Sequence, residues 1–224
     1  MSVSITADTS ANTQVVSPHD TASITGTEEL LVAIALGDAS GVTPTVSGRS
    51  QTWSQVGTTV SFGGSNNRLF LFKGIGTGSD GAITIDFGAA ATLAYLVSKV
   101  SGQNTGINWV VQAVTGTGTD ASLEATLAAF ASSTNATFSI GAFDDNAGIT
   151  AGTGFAELDE ETQLFFALTL QSQWRVDADT SPECTTGGNQ SWGFLAIEIS
   201  ELTAGGSNVN LLSGKFGMKM EGKL

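Results

Sequence analysis

Residues Leu30-Leu31-Val32-Ala33-Ile34-Ala35-Leu36 form a near-continuous apolar run. Such a run is typical of a β-strand that is buried on both faces. Turn-forming Gly, Asp, Ser and Asn residues follow at 37–41 and again at 63–67. Short apolar segments with similar breaks recur along the whole chain. This spacing predicts an all-β protein, an antiparallel β-sandwich of jelly-roll type.

Two segments far apart in the chain resemble each other. Leu93–Ser101 (LAYLVSKVS) aligns with Trp192–Ser200 (WGFLAIEIS) at an offset of 99 residues. Because strand-like segments match each other easily, chance similarity stays open. We hypothesise that the chain contains pseudo-duplicated halves that complete one sandwich. Weaker matches pair Ile34 and Asp38 with Ile140 and Asp144, Thr45–Gly48 with Ala151–Gly154, and Leu69–Leu71 with Leu164–Phe166.

Composition divides the chain into three parts. Residues 1–28 are rich in Ser and Thr and are interpreted as an N-terminal strand or arm, and residues 29–200 form the predicted sandwich domain. Residues 201–224 contain three of the eight basic residues, and Phe and Met alternate with Gly and Lys at 216–220. This alternation is typical of a strand with one apolar face. The last part is therefore either a C-terminal arm or the last strand of the sandwich.

One segment, Ser122–Ala131, fits two structures. Leu123, Leu127 and Phe130 would share one face of a helix capped by Asp120. The strand-rich sequence on both sides favours a strand instead, and a strand is our prediction.

Composition and charge also limit the function. With 41% apolar and 13% charged residues, the 224-residue chain is expected to fold around a core. Its net charge of −13 leaves no basic footprint for nucleic acid, and an anionic membrane would repel it. There is no run of 18 apolar residues that could cross a bilayer. We therefore expect neither nucleic acid nor membrane as a partner.

The sequence shows no recognisable set of catalytic or cofactor-binding side chains. His19 would have to be the base of any Ser-His-Asp site, but no Gly-x-Ser-x-Gly elbow is present. His19 and Cys184 together cannot supply the three or four ligands that zinc needs. The glycine-rich segment 74–78 precedes a predicted strand, whereas a phosphate-binding loop precedes a helix. We expect a protein that is not an enzyme and has no cofactor.

Carboxylates are the plentiful reactive groups. Asp144-Asp145, Asp159-Glu160-Glu161 and the pair Asp177 and Asp179 all fall in predicted loops. Since Ca²⁺ takes several oxygen ligands, Asp144 and Asp145 are weak candidates for a metal site, although no EF-hand spacing is present. A carboxylate pair for sugar hydrolysis depends on a separation in space and stays open.

The large aromatic side chains have two interpretations. Trp53, Trp109, Trp174, Trp192 and Tyr95 could form a platform on which sugars stack, or they could fill the core. Most of them lie within or beside predicted strands, which favours the core.

Several segments resemble a known class of module. They are the apolar run 30–35, Pro44–Gly48 with Trp53, and Leu93–Val97 with the later Ser101-Gly102. Over roughly residues 28–200 the chain resembles β-sandwich modules of tailed-bacteriophage virion proteins and bacterial surface proteins. That family has no catalytic residues to carry over. The resemblance implies a structural role, either in capsid decoration (cement) or in a tail or fibre.

The N-terminal sequence helps to choose between these roles. No Lys or Arg precedes Arg49, so the basic start of a secretory signal is missing. An adhesin needs export, whereas a virion protein assembles in the host cytoplasm. We expect a decoration protein on the capsid surface of a virion, with the major capsid protein or another virion protein as partner. We also expect a homo-oligomer, with a trimer at a threefold position. The alternatives are a carbohydrate-binding tail, fibre or cell-surface adhesion module and, third, a glycan hydrolase.

The C-terminal segment is predicted to make the contact with that partner. Lys215, Phe216, Met218, Lys219 and Met220 are expected to lie across another subunit. Lysines at the end of an acidic chain can meet acidic surface on a neighbour. The alternating Phe and Met side chains would add buried apolar area.

Overall fold

The computed structural model describes residues 2–13, 17–39, 41–64, 66–90, 92–104, 108–164 and 167–202. This part of the chain contains sixteen β-strands, no helix and only antiparallel pairing, so the predicted all-β class is confirmed. Nothing helical in it is long and apolar enough to span a bilayer. The strands are β1 (Ser4–Thr13), β2 (His19–Asp20), β3 (Glu29–Gly37), β4 (Thr45–Gly48), β5 (Thr52–Phe62), β6 (Asn67–Ile75), β7 (Ile83–Asp86), β8 (Thr92–Ser101), β9 (Val110–Gly118), β10 (Ser122–Glu124), β11 (Ala136–Phe143), β12 (Ile149–Ala151), β13 (Ala156–Gln163), β14 (Leu168–Val176), β15 (Glu183–Thr186) and β16 (Trp192–Ile199).

The strands form four sheets, and their order repeats. In the first half the larger sheet has the order β1-β8-β3-β6-β5 and the smaller sheet the order β2-β7-β4. In the second half the orders are β9-β16-β11-β14-β13 and β10-β15-β12. Adding eight to each strand number of the first half gives the second half. The duplication is therefore confirmed in strand order, while the jelly-roll subtype and the domain boundaries stay predictions.

The 99-residue offset also places equivalent side chains on equivalent faces. Leu96 and Leu195 both pack between the two larger sheets, and Tyr95 and Phe194 both pack towards their smaller sheets. Ala33 pairs with Leu96 and Ile140 pairs with Leu195, so Ile140 is equivalent to Ala33. The predicted match of Ile140 with Ile34 is therefore wrong by one residue.

Two other weak matches are also wrong. Leu69 pairs with Ala35 and Leu170 pairs with Ala142, which makes Leu170, and not Leu164, the equivalent of Leu69. Leu164 lies in the turn before β14 and is exposed. Of the segment Ala151–Gly154, only Ala151 belongs to a strand.

The core consists of three apolar clusters between four layers. The central cluster contains side chains from both larger sheets, which pack face to face as the two halves of one sandwich. Each larger sheet also packs against its own smaller sheet through an outer cluster. In β3 the side chains of Leu31, Ala33 and Ala35 enter the central cluster, and those of Leu30, Val32, Ile34 and Leu36 enter an outer one. Burial on both faces explains the apolar run that marks this strand.

Two segments differ from their sequence-based predictions. Only Ser122–Glu124 of the ambiguous segment is a strand, and the rest is irregular, so the helical alternative is wrong. Its apolar side chains still contribute to the outer cluster of the second half. Residues 159–161, predicted as loop, lie inside β13. The acidic side chains hide this strand because strands are ordinarily recognised by alternating apolar residues.

Candidate functional site

The two candidate nucleophile or base residues lie in separate structural environments. Cys184 is fully buried, and burial raises the pKa of its thiol far above the ordinary value, which keeps it protonated and unreactive. His19 lies in β2, with its ring centroid 5.5 Å from that of Tyr95. Both side chains therefore pack against other residues of the fold.

The acidic pair at 144–145 is held by protein donors. The carboxylate of Asp145 accepts hydrogen bonds from the backbone N–H of Asn146 (2.6 Å) and from Nε2 of Gln190 (3.0 Å). The carboxylate of Asp144 accepts one from Nδ2 of Asn67 (3.1 Å). Within the described residues no group of three or more His, Cys, Asp or Glu side chains is placed to hold a metal ion. The hydrogen bonds give both aspartates a role within the fold.

The large aromatic side chains are distributed over the three clusters. Trp109 and the half-buried Trp174 pack in or against the central cluster. Tyr95 and the half-buried Trp53 belong to the outer cluster of the first half, and Trp192 belongs to that of the second half. The prediction that these residues fill the core is confirmed for Trp109, Trp192 and Tyr95, which are buried.

The five basic residues in the described part of the chain all contact groups of their own fold. Arg49 donates to the carbonyls of Ser79 and Gly26, Arg68 donates to that of Val42, Lys73 lies over the ring of Trp109, Lys99 pairs with Asp8, and Arg175 pairs with Asp177 and Asp179. The other three, Lys215, Lys219 and Lys223, lie outside the described residues together with Phe216, Met218 and Met220. The predicted contacts of the C-terminal segment stay a prediction.

Acidic side chains are concentrated on one edge of the molecule. β13 is an edge strand and carries Glu157, Asp159, Glu160 and Glu161. Its equivalent in the first half, β5, has no charged residue along Thr52–Phe62. Since the two strands occupy the same position in a repeated topology, the fold itself does not require the charge of β13.

Three of these four acids make hydrogen bonds within the fold. Glu161 accepts from Oγ of Ser10 (2.7 Å) and from Nδ2 of Asn12 (2.8 Å) in β1, which joins the two larger sheets at this edge. Glu160 accepts from the backbone N–H of Ile149 (2.6 Å). Asp159 accepts from the backbone N–H of Glu160 (2.9 Å). Charge on an edge strand also hinders pairing with the edges of other molecules.

The Glu160 carboxyl should make stability depend on pH. Burial raises its pKa, the N–H of Ile149 opposes that rise, and the charge of Glu157 adds to it. A carboxyl whose pKa is higher in the folded state stabilises the fold when protonated, and this contribution is lost as pH rises through the folded pKa. We expect Glu160→Gln to increase the free energy of unfolding at neutral pH, with a smaller gain in acid.

Urea unfolding of the parent and of Glu160→Gln, at neutral and at acidic pH, measures the change in the free energy of unfolding. Glu124→Gln is the matched control, because it removes one charge from an exposed side chain. A Glu160→Gln protein that is no more stable at neutral pH than the parent would show that the carboxylate is well accommodated.

A cavity of about 460 Å³ opens at one end of the larger sheet of the first half, where β3 begins and β6 and β8 end. Its lining includes Glu28, Glu29 and Gln103, together with the apolar Ile75 and Val100. The two carboxylate oxygens of Glu29 accept from the backbone N–H of Gly76 and from Nε2 of Gln103, each at 3.0 Å. Glu29 is thereby fixed in place.

Two acceptor atoms of residues that line this cavity are buried and have no hydrogen-bond donor among the described residues. They are Oε1 of Gln103, whose side chain is only 8% exposed, and Oε2 of Glu28. A buried acceptor with no donor is unfavourable, and native proteins contain few of them. Sequence reasoning did not select these residues. The available signal was the presence of polar side chains just before β3 and just after β8, two strands that neighbour each other.

No protein-family model matches the chain, and no curated protein or solved structure is significantly similar to it. Its own geometry marks two acidic surfaces as candidates, the edge strand β13 and the cavity beside Glu28 and Glu29.

Proposed function

We propose that this chain is a non-enzymatic structural protein that decorates the outer capsid surface of a tailed bacteriophage through protein–protein contacts. The observation that carries the proposal is the distribution of charge. The net charge is −13, and the five basic residues of the described fold already have contacts within it. The last three lysines, at 215, 219 and 223, are clustered in one short segment. Such a segment suits contact with an acidic protein surface.

The nature of the partner follows from the same charges. A second copy of this chain offers an acidic surface that the lysines can contact in a homo-oligomer. The oligomer that we propose is a trimer. Phe216, Met218 and Met220 alternate with them and would contribute apolar area, each about 1.5–3 kcal/mol if fully buried. The exposed lysines would mainly guide association and add little affinity.

The virion setting rests on the resemblance of residues 28–200 to phage structural modules. The compact four-layer fold supports decoration over a fibre, because a fibre needs an extended shaft. The partner on the shell would be the major capsid protein, and assembly would take place in the host cytoplasm.

Deleting residues 213–224 tests the proposal. We expect the full chain to form an oligomer of three 22.8 kDa subunits and the truncated chain to be a folded monomer. Light scattering after size-exclusion chromatography measures the mass, and far-UV circular dichroism measures the fold. Co-sedimentation with shells made from the major capsid protein of the neighbouring genes should be lost in parallel.

Substitutions that keep or remove the positive charge separate the effect of charge from that of the lysine side chain itself. Lys215→Arg, Lys219→Arg and Lys223→Arg combined should keep the oligomer and its rate of assembly, while the corresponding Gln variant should assemble more slowly and keep most of the oligomer at high protein concentration. A truncated protein that unfolds would identify the segment as a core strand, and one that still forms the oligomer would refute its role. Specific binding on a glycan array would instead support the carbohydrate-binding alternative.

A further inference from the structure

We propose that the hairpin turn between β13 and β14 is an apolar contact point that inserts into an apolar pocket with a basic rim on a different protein. This turn consists of residues 164–167 and is named the apolar tip. The contact point rests on the fold and the sequence, whereas the identity of the other protein as the capsid shell protein rests on the function proposed above.

The residues of the apolar tip are unusual for a turn. Gln163 pairs with Leu168, so four residues, Leu-Phe-Phe-Ala, connect the two strands. The two Phe residues, 165 and 166, lie outside the described residues. Hairpin turns ordinarily contain Gly, Asn, Asp or Ser, which suit the backbone angles of a turn and its contact with water. Ala167 has a φ of 45°, a conformation that is uncommon for a residue with a Cβ atom. Turn formation therefore does not explain this sequence.

Leu164 is exposed on a well-fixed base. Its side chain is 71% exposed, the highest value among the exposed large apolar side chains of the described residues. Its carbonyl accepts a hydrogen bond from Nδ2 of Asn146 (3.2 Å). The hydroxyls of Thr162 and Thr169 are hydrogen-bonded to each other across the base of the hairpin (3.2 Å), and Leu168 beside them is buried in the central cluster. The fold thus holds the backbone of Leu164 and leaves its side chain in solvent.

The equivalent turn of the first half shows that the fold does not require apolar residues at this position. Phe62 pairs with Asn67, and Leu170 is the equivalent of Leu69, so residues 63–66 occupy the position of the apolar tip. This turn has the same length and the sequence Gly-Gly-Ser-Asn. Large apolar residues that are placed at an exposed turn without a need of the fold are typical of an interaction site.

The charges beside the apolar tip determine the chemistry of the partner. Asp145 lies next to the hairpin, because its carbonyl accepts a hydrogen bond from Oγ1 of Thr169 (2.9 Å). Glu161 precedes the tip in β13. The hydrogen bonds to both carboxylates come from amide and hydroxyl groups, which carry no charge and do not cancel that of the carboxylates. A pocket with a basic rim is therefore electrostatically complementary to the tip.

A second copy of the chain and an anionic membrane fit the tip less well. The five basic residues of the described part of the chain already contact groups of their own fold, so this part of a copy offers no basic rim. Anionic lipid headgroups would repel Asp145 and Glu161, as they would repel the net charge of −13. A different protein is the partner that these charges favour.

Transfer of the first turn onto the second tests whether the apolar residues belong to the fold. The graft variant combines Leu164→Gly, Phe165→Gly, Phe166→Ser and Ala167→Asn in the full chain. We expect its midpoint of urea unfolding to stay within about 0.5 M of that of the parent. Nile red, a neutral dye that fluoresces on apolar surfaces, should respond to the parent and much less to the graft. A clearly lower midpoint, or equal Nile red signals, would overturn the apolar tip.

Co-sedimentation with shells of the major capsid protein measures the contact itself. Leu164→Asn should weaken binding about tenfold or more, because a Leu side chain that is buried in a pocket contributes at least that factor. The graft should weaken it further. Val111→Asn is the matched control, since Val111 is also exposed but lies in β9, at the opposite edge of the same sheet. Equal losses for Leu164→Asn and Val111→Asn would refute the contact.

Two further measurements distinguish the kinds of partner. The parent should not float with vesicles of equimolar phosphatidylcholine and phosphatidylglycerol, and flotation that the graft abolishes would identify a membrane as the partner instead. Light scattering should give the graft the same mass as the parent oligomer, and a lower mass would make the tip a contact between copies. If shells bind neither protein while the turn transfer gives the expected results, the proposed function fails and the apolar tip stands.

Discussion

Phe138→Ala is expected to lower the free energy of unfolding by about 3–5 kcal/mol. Phe138 lies in β11, is 1% exposed and packs in the central cluster. This cluster includes side chains from the larger sheets of both halves, among them Leu31 and Leu71 of the first half. The substitution removes apolar contacts and leaves a cavity that a close-packed core cannot fully close.

Because both halves share this core, we expect them to lose stability together. Urea unfolding followed by circular dichroism should show one transition, and the buried thiol of Cys184 should become reactive in the same transition. Val111→Ala is the control, since Val111 is 51% exposed and its truncation should cost less than about 0.5 kcal/mol. Labelling of Cys184 well before the loss of the β-sheet signal would show that the halves unfold separately.

The strands that are buried on both faces could be predicted from the sequence. β3, β8, β11 and β16 lie in the interiors of the larger sheets, and burial on both sides requires the apolar runs that mark them. The 99-residue repeat was visible for the same reason, since β8 and β16 meet equivalent neighbours. Edge strand β13 was missed in part because its polar and acidic residues carry no apolar alternation. The short strands β12 and β15 are too brief for a pattern.

The candidate site could not be predicted, because it depends on strand register. Glu29 and Gln103 are 74 positions apart in the sequence, and their side chains bond only because Glu29 pairs with Val100. Sequence patterns identify which residues are in strands but do not specify which strands pair, or in which register. The acidic clusters, in contrast, were visible in the sequence, and the structure shows most of them bonded within the fold.

Glu198→Ala is expected to lower the free energy of unfolding by about 2–4 kcal/mol. Glu198 is 1% exposed, and its carboxylate accepts from Nδ2 of Asn135 (2.5 Å) and from Nε2 of Gln112 (2.7 Å). Removing the carboxylate takes the acceptor from both amides. Asn135 is buried, and within the described part of the chain its Nδ2 donates to no other acceptor, whereas Nε2 of Gln112 also donates to the carbonyl of Ala128. Most of the loss should therefore come from Asn135.

The repeat provides a matched control for this substitution. At the 99-residue offset, Lys99 of β8 is the equivalent of Glu198, and its ion pair with Asp8 is partly exposed to solvent. Lys99→Ala should therefore cost about 1 kcal/mol or less, because water replaces an exposed ion pair at little cost. The loss in the free energy of unfolding for Glu198→Gln should lie between those of the two alanine variants. The Gln oxygen can accept one of the two hydrogen bonds, whereas its NH₂ group would face the second donor. Urea unfolding of the three variants measures these differences. Equal losses for Lys99→Ala and Glu198→Ala would mean that packing of the side-chain stem, and not the buried hydrogen bonds, determines stability at this position of the repeat.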